Sequence, residues 1–223
     1  MTKGDSNKIE AINQYYDTPD AVAALSSWYV QDKEKTFVDF ILAKTPIAPE
    51  GRFVEIGGGA GLQGLLLRQR LGSRYLHSDY SPSLVEKARE LGLESEIVDG
   101  LATPFADASV AGLLLVGPST IVGPPELRER QFRECHRVLR PGAGVAFVTS
   151  RLAHTRDRHC LDAADETLLR SLGFEIAGVH HWGAVPGKLW RTLPVPALWR
   201  GLESIGTGLG LGVRKIVVAR RAG

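Results

Sequence analysis

Glu55, Gly57, Gly59 and Gly61 stand in one short run, Phe-Val-Glu-Ile-Gly-Gly-Gly-Ala-Gly-Leu-Gln-Gly from 53 to 64. An apolar strand there passes through a glycine bend straight into a helical pattern. Glycine reaches backbone angles closed to other residues and carries no Cβ, so a flat ligand can lie against the main chain. Glu55 places a carboxylate beside the bend, and Asp79 and the pair Asp99-Gly100 follow at the ends of later strands. His180 and His181 offer titratable rings, but neighbours on a strand point to opposite faces, so at most one of them faces a ligand.

The elements that must carry these residues alternate between helix and strand. Residues 19–44 read as helix, with Val22, Leu25 and Tyr29 on one apolar face and Phe37, Phe40 and Ile41 on the next. Strands are expected at 53–57, 74–77, 96–98, 112–116, 144–149, 174–180 and 214–219. Between them fall a leucine-rich helix after Gly61, one from Ser81-Pro82 to Gly92, a charged one over 125–140 and one over 163–172. Ser81 is placed as the cap, with proline at the first helical position. The run Gly112 to Val116 is apolar throughout, as in a parallel strand buried on both faces. Such alternation predicts a Rossmann-like, doubly wound α/β sheet, mostly parallel, with helices on both faces and the ligand at the carboxyl ends of the strands.

Composition removes several classes. At 223 residues, 43% hydrophobic and 23% charged, the chain can bury a sizeable core and lacks the make-up of a disordered protein. A net charge of +2, from scattered Lys and Arg, gives no footprint for nucleic acid. The polar N-terminus (Lys3, Asp5, Lys8, Glu10) has no signal-peptide pattern, and no run reaches the ~18 apolar residues of a membrane span. A cytoplasmic location without stable membrane insertion is therefore expected. Cys135 and Cys160 form neither a disulfide framework nor a metal motif, so no metal is expected.

Four segments occur in an order that resembles the class I S-adenosylmethionine-dependent methyltransferases, in particular the type 11 group with the ubiquinone and menaquinone biosynthesis enzymes. They are Glu55-Ile56-Gly57-Gly58-Gly59-Ala60-Gly61, Asp79-Tyr80-Ser81-Pro82, Asp99 to Phe105 with Asp107 and Ser109, and Arg137-Val138-Leu139-Arg140-Pro141-Gly142. Thr103, Ala111 and Ala143 depart from the usual pattern. The resemblance implies a seven-stranded sheet with an antiparallel last strand, and S-adenosyl-L-methionine as cofactor. It assigns cofactor contacts to Glu55, Gly57, Gly59, Gly61, Asp79, Tyr80, Asp99, Gly100 and Val116. A carboxylate at the loop suits an ammonium and a sulfonium, where it would repel a pyrophosphate. Asp79 can accept from two ribose hydroxyls, and Asp99 with the Gly100 N–H can meet the adenine edge. Residues 1–50 correspond to a helical segment that closes over the cofactor, including Tyr15-Tyr16-Asp17, and residues 51–223 to the catalytic core.

Two other readings stand beside this one. Gly59, Gly61 and Gly64 satisfy G-x-G-x-x-G, with Asp79 at a ribose-binding distance, as in a nicotinamide-dependent oxidoreductase. A cofactor-binding protein without catalysis is the other, because methyl transfer obliges no catalytic residue. Only Tyr16, His180 and His181 suggest themselves as bases. Residues 181–213 hold Trp182, Trp190 and Trp199, with Leu198, Leu202 and Ile205 on one helical face. That insert is expected to be a packed extension, a homodimer surface or a lid over a small apolar or aromatic methyl acceptor.

Overall fold

The alternation read from the sequence builds one seven-stranded sheet. The structure is a computed structural model and describes residues 31–122, 125–151, 160–193 and 195–223. Its elements are α1 (Gln31–Lys44), β1 (Phe53–Ile56), α2 (Leu62–Leu71), β2 (Tyr75–Asp79), α3 (Pro82–Glu90), β3 (Ser95–Ile97), β4 (Val110–Val116), α4 (Ser119–Val122), α5 (Pro125–Val138), β5 (Leu139–Ser150), α6 (Ala163–Ser171), β6 (Phe174–Trp182), α7 (Gly187–Thr192), α8 (Pro196–Gly208) and β7 (Arg214–Arg221). The sheet order is β3-β2-β1-β4-β5-β7-β6. Strands β3, β2, β1, β4 and β5 pair in parallel, while β7 runs antiparallel to both β5 and β6. Strand order reverses between β1 and β4, which is where such sheets open a crevice for a ligand.

Period-two side-chain alternation sorts the sheet's residues into two apolar layers. Val54, Leu113, Leu115, Val145 and Phe147 face α5 and α6, where Phe132, Val138 and Leu169 meet them. Phe53, Leu114, Ala146, Val148 and Val218 face the other way, against Phe37 and Ile41 of α1 and Leu66 and Leu67 of α2. The helix α1 is thus part of the same core as the sheet. The remainder of the expected helix 19–44, with Tyr16 and its neighbours, lies outside the described residues.

Two boundaries differ from the sequence reading. The charged helix stops at Val138 rather than 140, and Leu139 to Gly142 already belong to β5. Pro141 cannot continue a helix, and Gly142 takes φ +78° within β5, between Leu139 and Gly144, where the pairing with β4 shifts register. Strand β6 runs on to Trp182, because β7 continues to pair with it as far as Arg214. Among the described residues no helix is long and apolar enough to cross a membrane.

The insert forms α7 and α8, and its tryptophans are not a surface. Trp182 lies in the layer with α1, edge-on to Phe37 at 4.9 Å, with the Arg214 guanidinium 5.2 Å from its ring. Trp190 and Trp199 pack with Val185 into a small separate core. Leu198, Leu202 and Ile205 do share a helical face, but that face is turned to solvent.

Candidate functional site

Strand β1 ends at Ile56, and the chain turns at once through Gly57, Gly59 and Gly61, with φ of 75°, 60° and 80°. L-residues with a Cβ rarely hold such angles, which is why this bend is written in glycine. The N–H groups of Gly57 and Gly58 both donate to the Ser78 carbonyl at 2.9 Å, tying the loop to β2. At the end of β2 the Asp79 carboxylate accepts from the Gly59 N–H through Oδ2 and from the Ser81 N–H through Oδ1, each at 2.9 Å. Burial pushes the Asp79 carboxyl up, and the N–H groups of Ser81, Gly59 and Tyr80, with nearby His77, pull it back. Asp79 therefore holds the loop while its remaining lone pairs stay available to further donors. Tyr80, the next residue, exposes its ring. Ser81 caps α3 as expected, its hydroxyl accepting from the Leu84 N–H.

Glu55 is buried beneath the same bend. The Tyr75 hydroxyl donates to its Oε2, and His77 lies beside it in the β1–β2 register. Its carboxyl is raised by burial, against the lowering effect of His77 and of the Tyr75 bond. A Cβ on Gly58 would fall 2.5 Å from the His77 ring and 3.0 Å from Glu55 Oε2, so the loop closes directly over both. His77 Nδ1 lies 2.6 Å from Ser95 Oγ, while Nε2 has no partner. The geometry makes Glu55 the floor of the loop.

Beyond β3, which lies next to β2, Asp99 stands exposed and accepts from the Leu101 N–H at 2.9 Å. Gly100 is buried, and its carbonyl accepts from Gln131 Nε2 at 2.7 Å. Gln131 in turn accepts from the Thr120 hydroxyl at 2.8 Å, linking this turn to the short helix after β4. Arg137 clamps the rest of the segment, donating to Glu134, to Asp107 and to the Phe105 carbonyl. Thr103, a departure from the family pattern, gives both its N–H and its hydroxyl to Glu134 Oε1 at 2.7 Å. Neither Gln131 nor Glu134 was singled out from the sequence. Gln131 did leave a signal: it sits on the buried stripe Leu127, Gln131, Cys135, Val138, where an apolar residue would be expected.

Val116 ends β4 beside the bend, and Gly117 follows at φ +61°, its N–H donating to the Val148 carbonyl at 2.8 Å. The carboxyl ends of β3, β2, β1 and β4 thus bring together Asp99, Gly100, Asp79, Tyr80, Gly57, Gly59, Gly61 and Val116. His180 and His181 are not brought to this row. They lie on β6, the outer edge strand, with β7 and β5 between it and β4. His180 packs edge-on to Phe40 at 5.4 Å, and its pKa is lowered by burial and by Lys44. His181 pairs in register with Lys215, and burial, Arg151 and Lys215 lower its pKa. Among the described residues no group of His, Cys, Asp and Glu could hold a metal ion.

Residues 54–147 match the model of a methyltransferase domain, a span from the middle of β1 into β5 that includes every member of the row. Over that segment the chain is similar to a methyltransferase domain. The site fits S-adenosyl-L-methionine: a glycine bend without side chains, an acid beside it and an exposed aromatic ring. No curated protein sequence matches the chain. Solved structures do. A putative methyltransferase in complex with the Trm112 activator of Haloferax volcanii superposes with a TM-score of 0.64 at 18% identity, over 86% of this chain and 91% of that one. Geranyl diphosphate C-methyltransferase from Streptomyces coelicolor gives 0.61 at 16%, over 85% and 79%. The [4+2]-cyclase SpnF gives 0.60 at 22%, over 84% and 80%. At these identities the likeness establishes the Rossmann-like methyltransferase fold; the ubiquinone-type subgroup finds no support of its own.

Proposed function

We propose that this chain transfers the methyl group of S-adenosylmethionine, in line, to a small apolar or aromatic metabolite. The observation that carries the reading is the row at the carboxyl ends of β1–β4, with Asp79 fastened to the Gly59 and Ser81 N–H groups, inside the segment that matches a methyltransferase domain. The cofactor supplies an already activated carbon on a cationic sulfur. The chain's residues then have to bind, orient and exclude water. Asp79 would accept from the ribose hydroxyls, Gly57 and Gly59 would let the ligand lie on the main chain, and Asp99 with the Gly100 N–H would meet the adenine edge. A base is required only where the acceptor must lose a proton.

Support for an apolar acceptor comes from the uncharged sequence Val116-Gly117-Pro118 at the end of β4 and from the likeness to an enzyme of geranyl diphosphate. The tryptophans of the insert contribute nothing to it, since all three are core. The likeness to a cyclase favours a second reading, cofactor binding without methyl transfer. Calorimetric titration with S-adenosylmethionine, S-adenosylhomocysteine and NAD(H) separates the cofactor classes, and a screen of apolar and aromatic acceptors with methyl-labelled cofactor follows. Binding of NAD(H) alone would replace the reading with an oxidoreductase. Tight binding of S-adenosylhomocysteine with no label transferred would favour the second reading.

A further inference from the structure

Helix α8 presents two unlike stripes to solvent. At 100° per residue, Leu198, Leu202, Ile205 and Leu209 fall within about 60° of one another, forming a straight ridge. These four are 42–68% exposed. Ala197, Gly201, Ser204 and Gly208 repeat the same spacing about 100° further round and are exposed as well, so a shallow groove runs beside the ridge. A side chain added at Gly201 or Gly208 would meet nothing within 4 Å, which leaves the groove open. On the other side of the ridge lies the buried seam of Trp199, Glu203 and Gly206.

We infer that this face docks a second copy of the same chain, α8 against α8 about a twofold axis, with the leucine ridge of each helix in the small-residue groove of the other. Ridge and groove of matching spacing on one helix are self-complementary, which is what a twofold interface requires. Leu193 and Leu211 extend the apolar area at both ends, at 50% and 64% exposed. Together these residues expose on the order of several hundred Å² of apolar surface, at the upper end of the largest patch on a soluble monomer and a large part of the ~800 Å² per partner of a standard interface. Charge argues in the same direction. Glu203 is the only acid between 187 and 213, and it is buried, accepting from the N–H groups of Gly183, Ala184 and Val185. Arg200 stands beyond the groove, at the rim, so the central contact is uncharged. A bilayer surface would call for basic residues along both sides of the ridge, and here the ridge is bordered by small residues and by its own core.

Sedimentation velocity of the full chain over a concentration series, on the wild type, Leu202→Glu and Gly201→Leu, tests this. The wild type is expected to dimerise and Leu202→Glu to be monomeric. Gly201→Leu is the decisive variant, because it makes the surface more apolar and adds a better helix former while filling the groove. Its dimer should weaken about tenfold or more with no fall in melting temperature. A wild type that stays monomeric at every concentration overturns the inference. So does stronger association of Gly201→Leu, which would mean undirected apolar contact, and so does flotation of monomer with anionic vesicles in place of dimerisation.

Discussion

Asp79 has two tasks at one carboxylate, fixing the glycine bend and presenting acceptors to a ligand. Replacing it by alanine should weaken binding of S-adenosylhomocysteine by roughly ten- to hundredfold, the equivalent of the ~1.5–3 kcal/mol of charge-assisted hydrogen bonds. Calorimetry reads the affinity and circular dichroism the fold, which the two apolar layers should preserve. Unchanged affinity would remove Asp79 from the site. Glu55 differs in kind, because burial raises its carboxyl and nothing frees it to solvent. A carboxyl raised in the folded state takes up a proton more readily there than in the unfolded chain. Its effect on stability is therefore most favourable at low pH and is lost as pH rises from the ordinary carboxylate range through the raised folded value. Glu134 and Asp162, both lowered, act in the opposite sense, so the difference between variants is the useful quantity. Relative to Glu55→Gln, the wild type should lose stability on raising pH above the ordinary carboxylate range, by at most about 1.4 kcal/mol per pH unit. Parallel urea curves for both proteins at each pH would refute this.

At the scale of elements, the strands and helices around the bend could be read because local signals agreed with tertiary demands. An apolar strand, a glycine turn, a Ser-Pro helix start and a Pro-Gly helix stop each have a local cause, and the structure sets them within a residue or two of the expected places. What escaped were contacts between distant elements. Gln131 reaches the Gly100 carbonyl across 31 positions, and nothing local announces that partner. Arg128 and Asp165 are another case, paired at 2.6 Å with both side chains nearly buried, joining α5 to α6. Asp165 also completes a capping box with Asp162 at the start of α6. Arg128→Met should cost about 3–5 kcal/mol in urea unfolding, because it leaves a buried carboxylate without its cation. The double variant with Asp165→Leu should recover a good part of that loss. A double variant no better than the single one would mean that the cap at α6, and not the ion pair, sets the cost.

Over the whole molecule, the sequence left the insert open between a packed extension, a homodimer surface and a lid, because the packing partners of its tryptophans are not local; the structure packs all three tryptophans inward. Their burial divides the chain into two unequal cores, the layered sheet and the small cluster of Val185, Trp190 and Trp199. Among the described residues the insert is tied to the rest at its ends, where Arg151 donates to the Gly210 and Gly212 carbonyls at 2.9 and 3.1 Å. Glu203 gathers three backbone N–H groups at the end of β6, and Lys33 of α1 donates to the Val185 carbonyl at 2.7 Å. A unit with its own small core and few ties should open on its own, below the free energy of global unfolding. Native-state hydrogen exchange is expected to show amides of 187–208 far less protected than those of β1, β4 and β5. Trp199→Ala, at a cost of about 3–5 kcal/mol for an aromatic lost from a core, should abolish protection in 187–208 alone. Strand protection and S-adenosylhomocysteine affinity should both persist, because the row at β1–β4 lies on the far side of β5 and β7. Loss of protection throughout the sheet would show instead that the insert and the catalytic core unfold as one.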